Sequence, residues 1–243
     1  MIQFFIFVFT FASLGTCFAQ DNQRSIRTNL GIFYSTRSVY QGALIWDAPI
    51  LAAGPSFVFF NTISIGQGGL SLFYKFHEYQ TLTIGLSQFS DNPPGFPVVR
   101  LKSSNKDFKN QRASTYGAYL KYDLRLKQYL SLTLLYQKDI KRHYGDYFNS
   151  KLSTSIIPLL AIGAGMGIGD LRNNQYAYGP EAAKGIGFVD NFASLMLPFL
   201  PWQGRLMLTY SFTKIVQRKN KNADYIRGNE TNTIFSSAAM WSL

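Results

Sequence analysis

Charge and histidine are both scarce in this chain, and each shortage excludes something. Of 243 residues, 15% are charged, against about 25% in ordinary soluble domains. The 2 histidines, His77 and His143, supply neither a metal-ligand cluster nor a catalytic His repertoire. Long apolar runs are missing too. Past residue 19 no stretch reaches the ~18 uninterrupted apolar residues of a spanning helix. The nearest, Ile156 to Gly169, is short and interrupted by Pro158 and the glycines 163, 165, 167 and 169. A mean hydropathy of -0.03 is likewise far too polar for a helical membrane protein.

The single cysteine, Cys17, lies in an N-terminal stretch with the marks of a secretory signal peptide. Met1 to Ala19 has no charged side chain, an apolar run from Phe4 to Leu14, and small residues before a cleavage point after Ala19. Cleavage there removes Cys17, so the mature chain forms no internal disulfide. The alternative is a lipoprotein acylated at Cys17 after Leu14-Gly15-Thr16. An exported chain does not meet the genome. Its net charge of +11 therefore points away from nucleic acid and toward lipid headgroup phosphates, lipopolysaccharide, cell-wall polymers or anionic solutes.

What the chain does have is aromatic residues, at 16%, and a two-residue rhythm. From Arg205 to Lys214, Leu206, Leu208, Tyr210 and Phe212 alternate with Arg205, Met207, Thr209, Ser211 and Thr213. That is a strand with one oily and one mostly polar face. The rhythm predicts strands at 26–36, 43–52, 55–64, 68–76, 80–89, 112–124, 129–139, 149–157, 159–169, 190–199, 202–215 and 232–243. The connections expected on one side are long, as at 90–111, 170–189 and 216–231. Those on the other are tight, as at 53–54, 77–79 and 200–201. Twelve strands with such asymmetric loops, the last ending in Trp241-Ser242-Leu243, predict a closed antiparallel transmembrane β-barrel as a single domain over 20–243. A secreted β-sandwich also alternates and is the alternative. In the barrel, Phe33, Phe73, Tyr119 and the glycines of 163–169 face a crowded lumen. Twelve strands leave at most a narrow channel.

Little in this pattern suggests chemistry. His77 and His143 fall at opposite ends of the barrel. Asp139 and Asp146 near His143 imitate an acid–base pair, but read as solvated loop charge. The Gly-x-Gly-x-Gly run at Gly163 lacks the spacing of a phosphate loop. The reading is therefore a non-enzyme with no cofactor or metal. One constellation survives: Arg27, Lys75, Lys121, Arg125 and Arg205 are expected to point inward near the tight-turn end, with Asp123 as acidic neighbour. Such a ring either favours anions in a narrow pore or solvates the rim.

Three segments resemble the MipA/OmpV family of outer-membrane proteins. These are Asp47-Ala48-Pro49-Ile50-Leu51, then Gly69 to Tyr74 with Leu82 to Leu86, and Asn174 to Glu181. The last, with Tyr176, Tyr178, Gly179 and Glu181, resembles the family's Tyr-Tyr-Gly segment followed by an acidic residue. Ala177 departs from that pattern, and Asp107 to Arg112 is a loosened form of the family's Leu-Asp-x-Arg stretch. The resemblance implies an outer-membrane barrel acting as a scaffold between a murein lytic transglycosylase and a murein synthase, or as a surface protein. The rival expectation is a narrow, anion-preferring diffusion channel, and a third is an outer-membrane hydrolase using His143.

Overall fold

The computed structural model describes residues 26–46, 48–66, 69–89, 99–100, 115–126, 129–201, 203–226 and 228–242. Met1–Ala19, where a signal peptide is expected, and Asp47, Asp107–Arg112, Trp202 and Leu243 lie outside the described residues.

In hydrocarbon every backbone N–H and C=O must find a partner within the protein, so a spanning sheet has to close on itself. This one does. Strand β1 (Ile26–Ser35) pairs on one side with β4 (Ile50–Phe59), from Ile26↔Phe59 to Ser35↔Ile50, and on the other with β15 (Thr231–Ser242). The wall continues antiparallel through β5 (Ile63–Gly66), β6 (Gly69–His77), β7 (Gln80–Phe89), β9 (Thr115–Leu126), β10 (Leu130–Asp139) and β11 (Asp146–Ile157). Strands β12 (Leu160–Gly169), β13 (Gly185–Leu200) and β14 (Gly204–Ile215) complete it. The chain is thus a closed, twelve-stranded antiparallel transmembrane β-barrel.

Alternation sorts the side chains as the sequence predicts. On β14, Tyr210 is 54% exposed while Met207 is 1% exposed. Leu30, Ile32, Leu70, Leu72, Ile84, Leu120 and Leu152 also stand exposed on the outer surface. Phe33, Thr83, Thr133, Thr209 and Thr213 are buried in the lumen. An apolar exterior around a polar interior is the inverse of a sandwich core.

The predicted strands at 43–52 and 55–64, with a turn at 53–54, are displaced. Strand β4 runs straight through Gly54 and Pro55, and the turn is Phe60-Asn61, both left-handed (φ 51 and 54), closed by Thr62 N–H donating to Phe59 O at 2.9 Å. Pro55 is tolerated because β5 ends one residue short of it, at Ser56↔Gly66, so the missing N–H breaks no bond on that side. Pro198 in β13 is absorbed by a register shift between Leu197 and Leu200.

Residues 36–49 are then not part of the wall. They form a connection containing a hairpin, β2 (Ser38–Tyr40) and β3 (Ala43–Trp46), turned by Gln41 and Gly42 at φ 47 and 82. A side chain at Gly42 would be strained, and its Cβ would lie 2.7 Å from the Phe188 Cβ. Most connections at this end, which also carry α1 (Leu171–Tyr178), α2 (Arg218–Lys221) and the short strand β8 (Val99–Arg100), are long, whereas β5 ends at Gly66 and β6 begins at Gly69. Those at the other end are short: 60–62, 78–79, 127–129, 158–159 and 201–203.

Candidate functional site: a plugged lumen

The hairpin folds inward across the mouth at the long-loop end. Every residue from Ser38 to Ile45 is buried. Tyr40, Ala43 and Ile45 join Leu135, Tyr147, Phe188 and Ile215 from the wall, and Ala177, Tyr178, Ala223 and Ile226 from two other loops, in one apolar cluster. Val39 and Leu44 pack with Ile234.

Helix α1 is built to hold this plug. Asp170 caps it by accepting from Asn173 N–H at 2.7 Å, and Gly179 ends it at φ 119. Its buried face then meets the hairpin turn. Gln41 Nε2 donates to Asn173 Oδ1 at 3.2 Å, and Asn173 Nδ2 donates to Gln41 Oε1 at 2.7 Å. Tyr178 Oη donates to Gln41 O at 2.8 Å, and from β15 Asn232 Nδ2 donates to Gly42 O at 3.0 Å. The two carbonyls at the buried hairpin turn, of Gln41 and Gly42, are therefore both matched by side-chain donors.

Beneath the plug lies a chamber of about 180 Å³, walled by Ser211, Thr209, Gln137, Lys151, Asp190 and Phe192 among others. Lys151 Nζ sits 3.2 Å from Asp190 Oδ2 and 5.4 Å over the Phe192 ring. The glycines of β12 explain how these groups fit. A Cβ on Gly163 would fall 2.5 Å from Phe192, on Gly165 2.3 Å from Asp190 Oδ1, and on Gly167 2.3 Å from Phe188. The stripe is a trough that lets larger neighbours lie flat against the wall. Phe33 lines the chamber, and Tyr119 is bonded to Ser71 across 2.9 Å.

The five basic residues singled out in the sequence fall in two arcs. Lys75 on β6 and Arg125 on β9 line one recess at the short-turn end together with Asp123. Lys121, also on β9, sits higher, level with Thr83 and Leu135, 2% exposed and 2.7 Å from Asp123 Oδ2. Arg27 on β1 donates to Asn61 Oδ1 in the 60–62 turn at 2.5 Å. Arg205 lies beside the turn on β14, and β10 to β13 separate β14 from β9. Lys151 and Asp190, which line the chamber beneath the plug, were missed because a lone Lys on one strand and a lone Asp on another carry no spacing signal.

The family-like segment lies at the plug. Tyr178 is buried and bonded to the hairpin, Tyr176 packs edge-on to Tyr40 at 6.1 Å, Gly179 caps α1, and Glu181 is exposed.

The reading of Asp139, His143 and Asp146 as solvated charge holds for Asp146, which is exposed, and needs correction for Asp139 and His143, which are not. Asp139 Oδ1 accepts from the amides of Lys141, Arg142, His143 and Tyr144 at 2.7–3.2 Å, while Oδ2 meets Thr115 Oγ1 and His143 Nε2. His143 Nδ1 accepts from Gly145 N–H at 3.1 Å, and its ring stacks on Tyr176 at 4.4 Å. Burial holds this imidazole below the usual histidine range, with Asp139 and Asp170 pulling the other way. Both ring nitrogens are committed within the loop, so neither faces a nucleophile. Asp146 is turned elsewhere, to Lys138 at 3.0 Å and Tyr136 at 2.6 Å.

No family model and no curated protein matches this chain. Solved barrels do. The KdgM porin is 12% identical, with a TM-score of 0.44, over 88% of this chain and 99% of its own. The NanC porin is 12% identical, with a TM-score of 0.44, over 90% and 100%. An outer membrane channel from Pseudomonas putida F1 is 10% identical, with a TM-score of 0.41, over 93% and 99%. At this distance nothing about their solutes transfers.

Proposed function

We propose that this chain is a non-enzymatic outer-membrane barrel of the MipA/OmpV type, held shut along its axis at rest, that serves as an envelope surface or scaffolding protein. The exterior of leucine, isoleucine and tyrosine needs lipid, the leader at Met1–Ala19 exports the chain, and barrels of this class place long loops outside and short turns in the periplasm. The plug carries the reading. Withdrawing it exposes Val39, Leu44 and Ile45, each worth about 1.5–3 kcal/mol when buried, and breaks the Gln41–Asn173 pair. Tyr176, Tyr178 and Gly179 then serve as plug anchors on the outer side. A murein lytic transglycosylase or murein synthase would meet the short turns instead. Co-purification of such enzymes with the barrel, without unit conductance in planar bilayers, supports this function; steady conductance by the wild type contradicts it.

A second reading, a narrow diffusion channel, is favoured by the polar-walled chamber beneath the plug. Lys121 and Lys151 are charge-matched by Asp123 and Asp190. Anion preference would then rest on Lys75, Arg125, Arg27 and Arg205 at the periplasmic end. Unit steps with anion preference, lost on Arg125→Glu with Arg205→Glu, would favour it.

A further inference from the structure

Two neighbouring rows of inward side chains wall one side of the chamber beneath the plug, whose volume is about 180 Å³. Strand register aligns Lys151, Gly165, Asp190 and Thr213 across β11 to β14 in the first row. The second, two residues along, aligns Ser153, Gly163, Phe192 and Ser211. A charged pair therefore lies directly beside an aromatic ring and hydroxyls. Asp190 is 7% exposed; its Oδ2 holds Lys151, and its Oδ1 has no hydrogen-bond partner among the described residues. Gln137 adds an amide from the wall, and Gln41 another from the plug.

Size and chemistry together narrow the occupant. A cavity of about 150 Å³ takes one benzene, so this chamber has room for one six-membered ring. A bare hydrocarbon ring would leave the charged pair and the amides without partners. An anion would have to draw Lys151 from Asp190 and leave a carboxylate buried alone, which is costly. A hydroxylated ring without charge satisfies both at once. Its hydroxyls donate to Asp190 and accept from Lys151, while its C–H face packs on Phe192. We infer that the chamber binds one neutral monosaccharide, held by Lys151, Asp190 and Phe192. The inference needs only the plugged chamber, so it stands whether the barrel conducts or acts as a scaffold.

Saturation-transfer NMR tests it on barrel refolded with each probe present, so that the plug closes over it, in a detergent without a sugar headgroup. The probes are D-glucose, D-galactose and D-mannose, with D-glucuronate as the charged ring and cyclohexanol as the ring without its hydroxyl array. At least one hexose should bind saturably to the wild type and to Arg172→Ser, a control on α1. Lys151→Met with Asp190→Asn should weaken that binding about tenfold or more, as loss of charge-assisted hydrogen bonds implies. Phe192→Leu, which keeps the charged pair, should also weaken it. Heat-modifiable migration on gels shows which variants are folded, and either variant alone suffices for the test. Failure of all three hexoses overturns the inference. So does equal or tighter binding of D-glucuronate or cyclohexanol, or wild-type affinity in a folded chamber variant.

Discussion

Gln41 and Asn173, 132 residues apart in the chain, face each other with complementary amides, each donating to the other at 3.2 and 2.7 Å inside a buried interface. Removing either partner leaves the other amide buried and unsatisfied, which costs about 1–3 kcal/mol. Gln41→Ala and Asn173→Ala should each destabilise by that order, and the double variant by little more than either alone. Urea unfolding in detergent, followed by gel shift, closes the cycle; strict additivity would contradict the pairing.

Lys121 and Asp123 are a buried ion pair, the Lys121 side chain 3% exposed, with Thr133 Oγ1 also donating to Asp123 at 2.7 Å. Stripping one partner from such a pair costs about 3–5 kcal/mol, whereas replacing both can be nearly neutral. Lys121→Met should unfold at clearly lower urea than Lys121→Met with Asp123→Asn. The reverse order would show that the pair is not buried as described.

Along β12 the trough admits no side chain. Gly163→Ala places a methyl 2.6 Å from Leu152 O, a backbone atom that cannot swing away. Overpacking of this kind costs about 1–3 kcal/mol. Ala161→Gly nearby adds no atom and should not produce the same loss; equal unfolding midpoints for Gly163→Ala and wild type would refute the trough.

The loop after β10 should loosen in acid. His143 in the folded loop stays neutral below the usual histidine range, because burial penalises the charged ring, and because protonated Nδ1 could no longer accept from Gly145. A lowered folded pKa means the stabilisation is full above the unfolded pKa of about 6.5. It is lost as pH falls through the folded value. Proteolysis at 140–145 on intact cells should therefore rise between neutral pH and mild acid. His143→Phe, which keeps the stack on Tyr176, should remove that dependence; an unchanged profile would contradict it.

Much of the wall was legible in the sequence because one-sided burial imposes alternation, and Arg205 to Lys214 is inward and outward where the pattern puts it. The errors cluster where two rules compete. Ala43 to Ala52 alternates like a wall strand, yet Ala43 to Ile45 are buried on both sides because they plug the lumen. Ala53-Gly54 before Pro55 reads as a turn, yet β4 runs straight through all three residues, and β5 ends before it reaches Pro55. The turn residues are Phe60 and Asn61, which carry no Gly or Pro signal. At the candidate site, Tyr178 was visible as a motif but its hydrogen bond to Gln41 was not, since nothing local links residues 137 apart.

The most direct test replaces Ser38 to Trp46 with a short Gly-Ser linker and compares conductance in planar bilayers with that of the wild type, both shown folded by heat-modifiable migration. The plugged barrel predicts a silent wild type and a variant that opens in reproducible unit steps. Equal conductance from the two proteins would contradict it.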